Sequence, residues 1–270
     1  MNPLLKKVFA VSAVSCLFAP LFSVNTISAE TPQEKGLAIA MEADLRDEGF
    51  GDYTADMTMI LKNKQGKESK RTIRSKTLEV KGDGDKSLSI FDTPRDVKGT
   101  AFLTFSHKVG DDEQWLYLPA LKRVKRINSR NKSGSFMGSE FSYEDIASQE
   151  VEKYTYKYLR EEELQGQAAF VSESYPVDAK NSGYSKRISW VDKAEYRLLK
   201  VEFYDRKKSL LKTLTIDGYQ KYLDKYWRAD TMSIVNHQTG KSTTLIWKDY
   251  SFLTGLSEKD FNSTSFKRVR

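Results

Sequence analysis

The sequence predicts a mainly β protein built on one large, mostly antiparallel sheet that curls or closes instead of lying flat. Three observations lead there. Thirteen short segments of alternating or apolar character follow one another, glycine- or aspartate-bearing turns separate many of them, and only one segment is written as a long helix. With no ten-residue helical pattern between the strands, nothing supplies the crossovers that a parallel sheet needs.

The first 29 residues stand apart. Lys6 and Lys7 precede an apolar run from Val8 to Val24, and Ile27-Ser28-Ala29 lies before Glu30 as a cleavage site, which reads as a secretory signal peptide cut after Ala29. A membrane anchor fits less well, because the run holds Pro20 and no stop-transfer pattern follows. Ala13-Val14-Ser15-Cys16 is a loose lipobox, opposed by Ala13 where leucine is usual and by Leu17, Phe18, Leu21 and Phe22 beyond the cysteine. Residues 1–29 hold the only cysteine, two of the 44 basic residues and none of the 37 acidic ones. What remains, residues 30–270, is expected to be a single domain with formal charge +5, no thiol and no disulfide, stabilised by its core alone. A positive balance outside the cytoplasm suits lipid headgroups or an acidic protein surface more than nucleic acid, although charges so scattered also make an ordinary solvated surface.

The helix comes first. Thr31-Pro32-Gln33-Glu34 supplies an N-cap, a proline at the first position and a capping-box glutamate; Leu37, Ala38, Met41 and Leu45 recur at helical spacing, and Gly49 should end it. Strands follow. "DYTADMTMILKN" alternates through Tyr53, Ala55, Met57 and Met59, and "KQGK" turns the chain into "SKRTIRSKTLEV". Further strands are expected in "KSLSIFD", "TAFLTFS", "EQWLYLP", "KRVKRIN", "EKYTYKYLR", "AAFVSESYPV", "SKRISWVD", "LLKVEFYD", "LLKTLTIDGYQKYL", "WRADTMSIVNH" and "KSTTLIWKDYSFL". Several have one polar face, as where Lys200, Glu202 and Tyr204 alternate with Val201 and Phe203, which places one side in water. Phe102, Leu103 and Phe105, like Trp115, Leu116, Tyr117 and Leu118, are apolar on both parities and require an apolar neighbour on each side of the sheet.

"FDTPRDVKGTAFLTF", "EQWLYLPALKRVKRI" and "GSFMGSEFSYEDI", in that order and at that separation, resemble the outer-membrane lipoprotein-sorting family with the LolA-like fold, in its branch of larger periplasmic proteins associated with transporter-type membrane proteins. The resemblance runs from about Thr31 to the end of the chain. It implies a strongly curved, incompletely closed antiparallel sheet, a half-barrel with helices over its concave side, that holds acyl chains of lipids or lipoproteins in the periplasm. On that reading one face of "TAFLTF" packs beneath helices and the other lines an apolar cavity. The cavity candidates are Phe91, Phe102, Leu103, Phe105, Trp115, Leu116, Leu118, Phe136, Met137 and Phe141; an apolar strand residue taken singly is usually plain core, and the group makes a better case than its members. An acyl chain has no hydrogen-bonding groups, and each methylene it removes from water contributes about 0.8 kcal/mol, so no catalytic group is needed.

The loop "NSRNKSGSFMGSEFSYEDI" carries Phe136, Met137 and Phe141 and ends in a short helical signal from Tyr143 to Ala147. Phe136 and Met137 read either as a movable lid over the cavity or as a plug fastening the loop to the sheet. Lys122, Arg123, Lys125 and Arg126 form a basic cluster suited to headgroups or an acidic docking partner, with a solvated strand face as the competing reading.

Enzymatic patterns are missing from the sequence. His107 and His237 have no motif spacing to each other or to a carboxylate, Gly134-Ser135-Phe136-Met137-Gly138 sets its serine one place away from a nucleophile elbow, and Asp83, Asp85, Asp111 and Asp112 read as turn residues. No phosphate loop or dinucleotide fingerprint occurs. The expectation is a monomeric, non-enzymatic carrier without cofactor or metal. It would bind lipid or lipoprotein acyl chains, touch the membrane surface transiently and work with an inner-membrane transporter-family protein; nucleic acid is not an expected partner. The alternative is a periplasmic sensor or adaptor that uses the same sheet to bind a membrane-protein domain.

Overall fold

The computed structural model describes residues 29–262, so the expected signal peptide, as far as Ser28, lies outside the described residues. Each of the thirteen expected segments forms a strand: β1 (Asp52–Lys62), β2 (Glu68–Leu78), β3 (Lys86–Thr93), β4 (Ala101–Phe105), β5 (Glu113–Leu118), β6 (Arg123–Ile127), β7 (Tyr154–Leu164), β8 (Gln167–Pro176), β9 (Tyr184–Asp192), β10 (Leu198–Asp205), β11 (Leu210–Tyr222), β12 (Tyr226–Asn236) and β13 (Ser242–Phe252). They make one sheet in the order β6-β5-β4-β3-β2-β1-β13-β12-β11-β10-β9-β8-β7, antiparallel throughout. The sheet does not close, so β6 and β7 are its two edges.

The curvature follows from which side chains share an interior. Met57 and Met59 of β1, Phe91 of β3 and Phe102 of β4 belong to the same buried cluster as Phe203 of β10, Leu214 of β11 and Ile234 of β12. Strands so far apart in the sheet order meet only if the sheet wraps around that cluster, which defines its concave side.

Helix α1 (Pro32–Asp47) begins as its sequence dictates: the Glu34 amide donates to Thr31 Oγ1 at 3.2 Å and the Thr31 amide donates to Glu34 Oε2 at 2.8 Å. It buries Gly36 and Ile39 and packs chiefly along β7. A Cβ on Gly36 would stand 2.7 Å from the Tyr158 nitrogen and 2.9 Å from Lys157 backbone atoms, so glycine is what lets helix and strand backbones approach this closely. Gly36→Ala is expected to destabilise the fold by about 1–3 kcal/mol, seen as a lower urea midpoint at unchanged slope.

One of the two apolar parities of β4 and β5 packs beneath a helix, as the resemblance implied, and the other has a cover it did not imply. On the concave side, Phe102 and Leu116 meet the loop between β6 and β7, through Phe136, Phe141 and the short helix α2 (Tyr143–Ile146). On the outer side, Leu103 and Tyr117 pack with Leu88, Ile90 and Ala101 beneath Leu256 and Phe261 of the segment after β13. Lys86 pairs with Glu258 at 2.7 Å across that contact, and Asp52 anchors the start of the segment by accepting from the Thr254 amide at 2.8 Å. The segment after β13, with a single 3-10 turn at Glu258–Asp260, therefore shields the outer face of β3–β5. The segment carries its own apolar residues back across the sheet, which the strand pattern alone does not disclose.

Candidate ligand-binding groove

The ten cavity candidates divide between these two faces. Phe91, Phe102, Leu116, Phe136 and Phe141 are buried in the concave cluster, with Leu118 and Met137 packed against it; Leu103 lies in the outer cluster, flanked by Phe105 and Trp115. Pairing explains the division, because Phe102 stands opposite Leu116 whereas Leu103 stands opposite Trp115, and neighbours along a strand point to opposite faces. Leu103, Phe105 and Trp115 are thus placed away from the concavity. Phe136 and Phe141 occupy it: the Phe136 ring lies 4.9 Å from Phe102, 5.8 Å from Tyr143 and 6.1 Å from Phe91. An acidic substitution at Leu116 would consequently report on stability before it reported on a ligand.

The loop that carries Phe136 and Phe141 is tied to the sheet by polar bonds. Lys212 of β11 and Asp145 of α2, with side chains only 3% and 5% exposed, pair at 2.6 Å, and Lys212 also donates to the Glu140 carbonyl at 2.8 Å. The Tyr184 hydroxyl donates to Asp145 at 2.9 Å and the Ser142 amide at 2.7 Å. Burial alone would raise the Asp145 pKa; Lys212 first and Arg187 next outweigh it and hold the carboxyl below its ordinary value. Farther out, Arg71 donates to the Met137 carbonyl at 2.5 Å, Asn236 to Glu140 at 2.7 Å, and Gly183 to Glu144 at 2.7 Å.

Open space remains on the concave side beside this loop, under the second half of α1. Three adjoining spaces of about 610, 540 and 250 Å³ all include Asp47 in their walls. The sheet contributes Tyr53, Tyr219, Trp227, Met232, Trp247 and Tyr250, an aromatic wall with one flexible thioether. Arg228 is held among these rings, 5.1 Å from the Phe50 centroid and 5.2 Å from that of Tyr53, while its Nη1 bonds Asp47 at 2.5 Å. The groove continues past Ser148 and Gln149 to a fourth space of about 290 Å³ where the two sheet edges approach, lined by Ile127 from β6 and by Tyr154 and Pro176 from β7 and β8. Lys132 to Asp178, at 2.9 Å, and Lys153 to Asp112 bridge this seam.

One wall is acidic. Asp85, expected only to shape a turn, has its pKa pushed up to about 7 by burial first and then by the charges of Glu150, Glu79 and Asp47. Its native carboxyl therefore holds a proton that the unfolded chain releases near pH 4, so this group costs stability increasingly as pH rises from 4 through 7. Asp85→Asn is expected to raise stability at pH 8 by about 1–2 kcal/mol, part of the repulsion being screened by the open groove, and to change little at pH 4. Urea titrations at the two pH values check this. Asp83, by contrast, acts in a turn as anticipated, accepting from the Lys108 amide at 2.8 Å and meeting His107 Nδ1 at 2.7 Å.

Lys122, Arg123, Lys125 and Arg126 line none of these four spaces: Lys122 caps the turn after β5 and the other three sit on edge strand β6. The aromatic wall from β11–β13 was not among the sequence candidates. Its signal lay in "YQKYLDKYW" and "KDYSF", which put many aromatic rings near strand ends that the register brings together, as Tyr53 with Phe252 and Tyr222 with Tyr226.

Among solved structures, a candidate outer membrane lipoprotein-sorting protein domain from Vibrio parahaemolyticus is 64% identical with a TM-score of 0.86, over 87% of this chain and 100% of that one. The chain belongs to the outer-membrane lipoprotein-sorting family. A DUF1329 family protein from Desulfovibrio piger is 30% identical to this lipoprotein-sorting family member, with a TM-score of 0.83 over 87% of this chain and 99% of its own. A LolA superfamily protein from Nitrosomonas europaea shares the fold at 20% identity and a TM-score of 0.68, over 85% and 98% of the two chains. A family model described as uncharacterized-protein-like matches residues 83–268. No curated protein matches the sequence. The half-barrel expected from the sequence is therefore a LolA-like fold by direct structural likeness.

Proposed function

We propose that this lipoprotein-sorting family member is a non-enzymatic periplasmic carrier that holds an acyl chain of a lipid or lipoprotein in the groove between α1 and the aromatic wall. It works as a monomer, receiving its cargo from an inner-membrane transporter-like partner and passing it toward the outer membrane. The observation that carries this reading is the unfilled groove itself: Tyr219, Met232, Trp247 and Tyr250 offer apolar area to a chain, while Arg228, Asp47 and the open seam leave a polar end in water. A dozen buried methylenes contribute on the order of 10 kcal/mol before ordering costs, enough for retention without covalent chemistry. Release then follows differences in affinity between donor, carrier and acceptor.

The test is titration with a fluorescent palmitoyl probe. Wild-type protein should bind it, and Met232→Glu should weaken binding by at least about tenfold, because an unpaired carboxylate is disfavoured against an acyl chain. Unchanged affinity in a Met232→Glu protein that keeps its circular dichroism spectrum would remove this groove as the binding site.

A further inference from the structure

The two edges of the sheet are treated differently. Edge strand β7 lies under α1, with Gly36 seated on its backbone at Lys157 and Tyr158. Edge strand β6 pairs only with β5, in the register Leu118 to Arg123 through Gln114 to Ile127. Alternate residues of β6 therefore direct their N–H and C=O groups outward with no partner strand to receive them.

The side chains along this bare edge are of one sign. No aspartate or glutamate occurs between Glu113 and Glu140, whereas Lys122, Arg123, Lys125, Arg126, Arg130 and Lys132 do. Arg126 reaches Glu113 at 2.9 Å and Lys132 reaches Asp178; Lys122, Arg123, Lys125 and Arg130 are exposed and make no ion pair among the described residues. Both faces of the strand are charged. Lys125 lies opposite Leu116 of the concave cluster, and Arg126 lies opposite Trp115 of the outer one.

We infer that β6 is a strand-addition site for an extended acidic segment of a partner protein. Such a segment pairs its backbone with the outer edge of β6 and sets carboxylates against Arg123 and Lys125 on one face and Arg126 on the other. Main-chain bonds supply affinity without sequence demands, and the cations supply selection for acidic sequence. The five residues of β6 accommodate a short partner strand of similar length. This docking role uses the backbone edge and cations of β6 and not the aromatic wall; Ile127 is the one residue of the strand that also lines the seam end of the groove, and the peptide test reads the edge without an acyl probe.

A synthetic octapeptide of alternating glutamate and threonine, and the same peptide N-methylated at alternate residues, distinguish strand addition from simple charge attraction. The unmodified peptide should bind the whole protein at low salt and slow amide exchange in residues 123–127. N-methylation should weaken binding at least tenfold because alternate donors are lost, and so should the exposed triple change Lys122→Glu, Arg123→Glu, Lys125→Glu. Equal binding of both peptides would overturn the inference in favour of charge alone. No peptide binding would overturn it as well, whether the triple variant then self-associates, which marks the cations as guards of a bare edge, or loses binding to phosphatidylglycerol vesicles, which marks a membrane surface.

Discussion

Lys212→Met should destabilise the protein by about 3–5 kcal/mol at pH 7 and free the loop over the concave cluster from the sheet. The lysine is an unusual thing to bury, and it is tolerated because its ammonium meets Asp145 and the Glu140 carbonyl at once. Removing it strands the Asp145 carboxylate in a site with almost no water, left with Arg187 as its nearest remaining cation. The sign with pH follows from the native pair: the Asp145 pKa is held low, so its stabilisation is fully present above about pH 4 and fades as pH falls below that. The gap between wild type and variant should accordingly be narrower at pH 3.5 than at pH 7. Adding Asp145→Leu to Lys212→Met should recover much of the loss, since exchanging both partners for apolar groups is often nearly neutral. Urea unfolding of the two variants measures each of these differences. A loss under 1 kcal/mol for the single variant would mean that the loop is not held by this pair.

Phe136→Ala should cost about 3–5 kcal/mol, the usual range for emptying a fully buried aromatic site. Its ring is 1% exposed and touches Phe91, Phe102 and Tyr143, so the walls have little freedom to collapse into the space. The same change distinguishes the two readings of the loop. If the loop is a fixed plug, palmitoyl probe affinity in the neighbouring groove stays within about twofold of wild type. If it is a movable lid, vacating the Phe136 site admits more of the acyl chain and the affinity rises. Thermal unfolding supplies the stability difference and probe titration supplies the other readout.

The strands were legible because their cause is local. Alternation in "DYTADMTMILKN" and "LLKVEFYD" and turns such as Gln238-Thr239-Gly240 fix segment and boundary without reference to anything distant. What covers each face was legible only in part: the loop of Phe136 was read as a lid or a plug, but which strands it meets, and the cover of the outer face, depend on chain segments that arrive from elsewhere. Phe136 and Phe261 are ordinary loop and tail residues in sequence, and only the paths of their segments make them covers for Phe102 and Leu103. Lys212 illustrates the same limit from the opposite side. In "LLKTLT" it shares the inward parity of Leu214 and Ile216, where a lysine finds no partner within its own strand, and what satisfies it there, Asp145, arrives with α2 folded across β11. The groove escaped sequence reading for a related reason: its wall is assembled from β1, β11, β12 and β13, which are brought together by the pairing of the first strand with the last.

That pairing also governs how the sheet assembles over time. Taken from β7 through β13 and then from β1 through β6, the sheet order would be a plain succession of neighbours, so that every hairpin could zip onto the one before it. The natural chain starts in the middle of this succession. Its two meanders, β1–β6 and β7–β13, can each form by local closure, but within the sheet they join along β1 and β13, whose partners, such as Tyr53 and Phe252, lie far apart in the chain. The entropy of closing so large a loop must be spent before that contact returns anything, and folds dominated by such closures are slow to form. The concave cluster, drawn from both meanders, cannot be completed before β13 has been made, so the growing chain remains an unfinished half until that strand emerges.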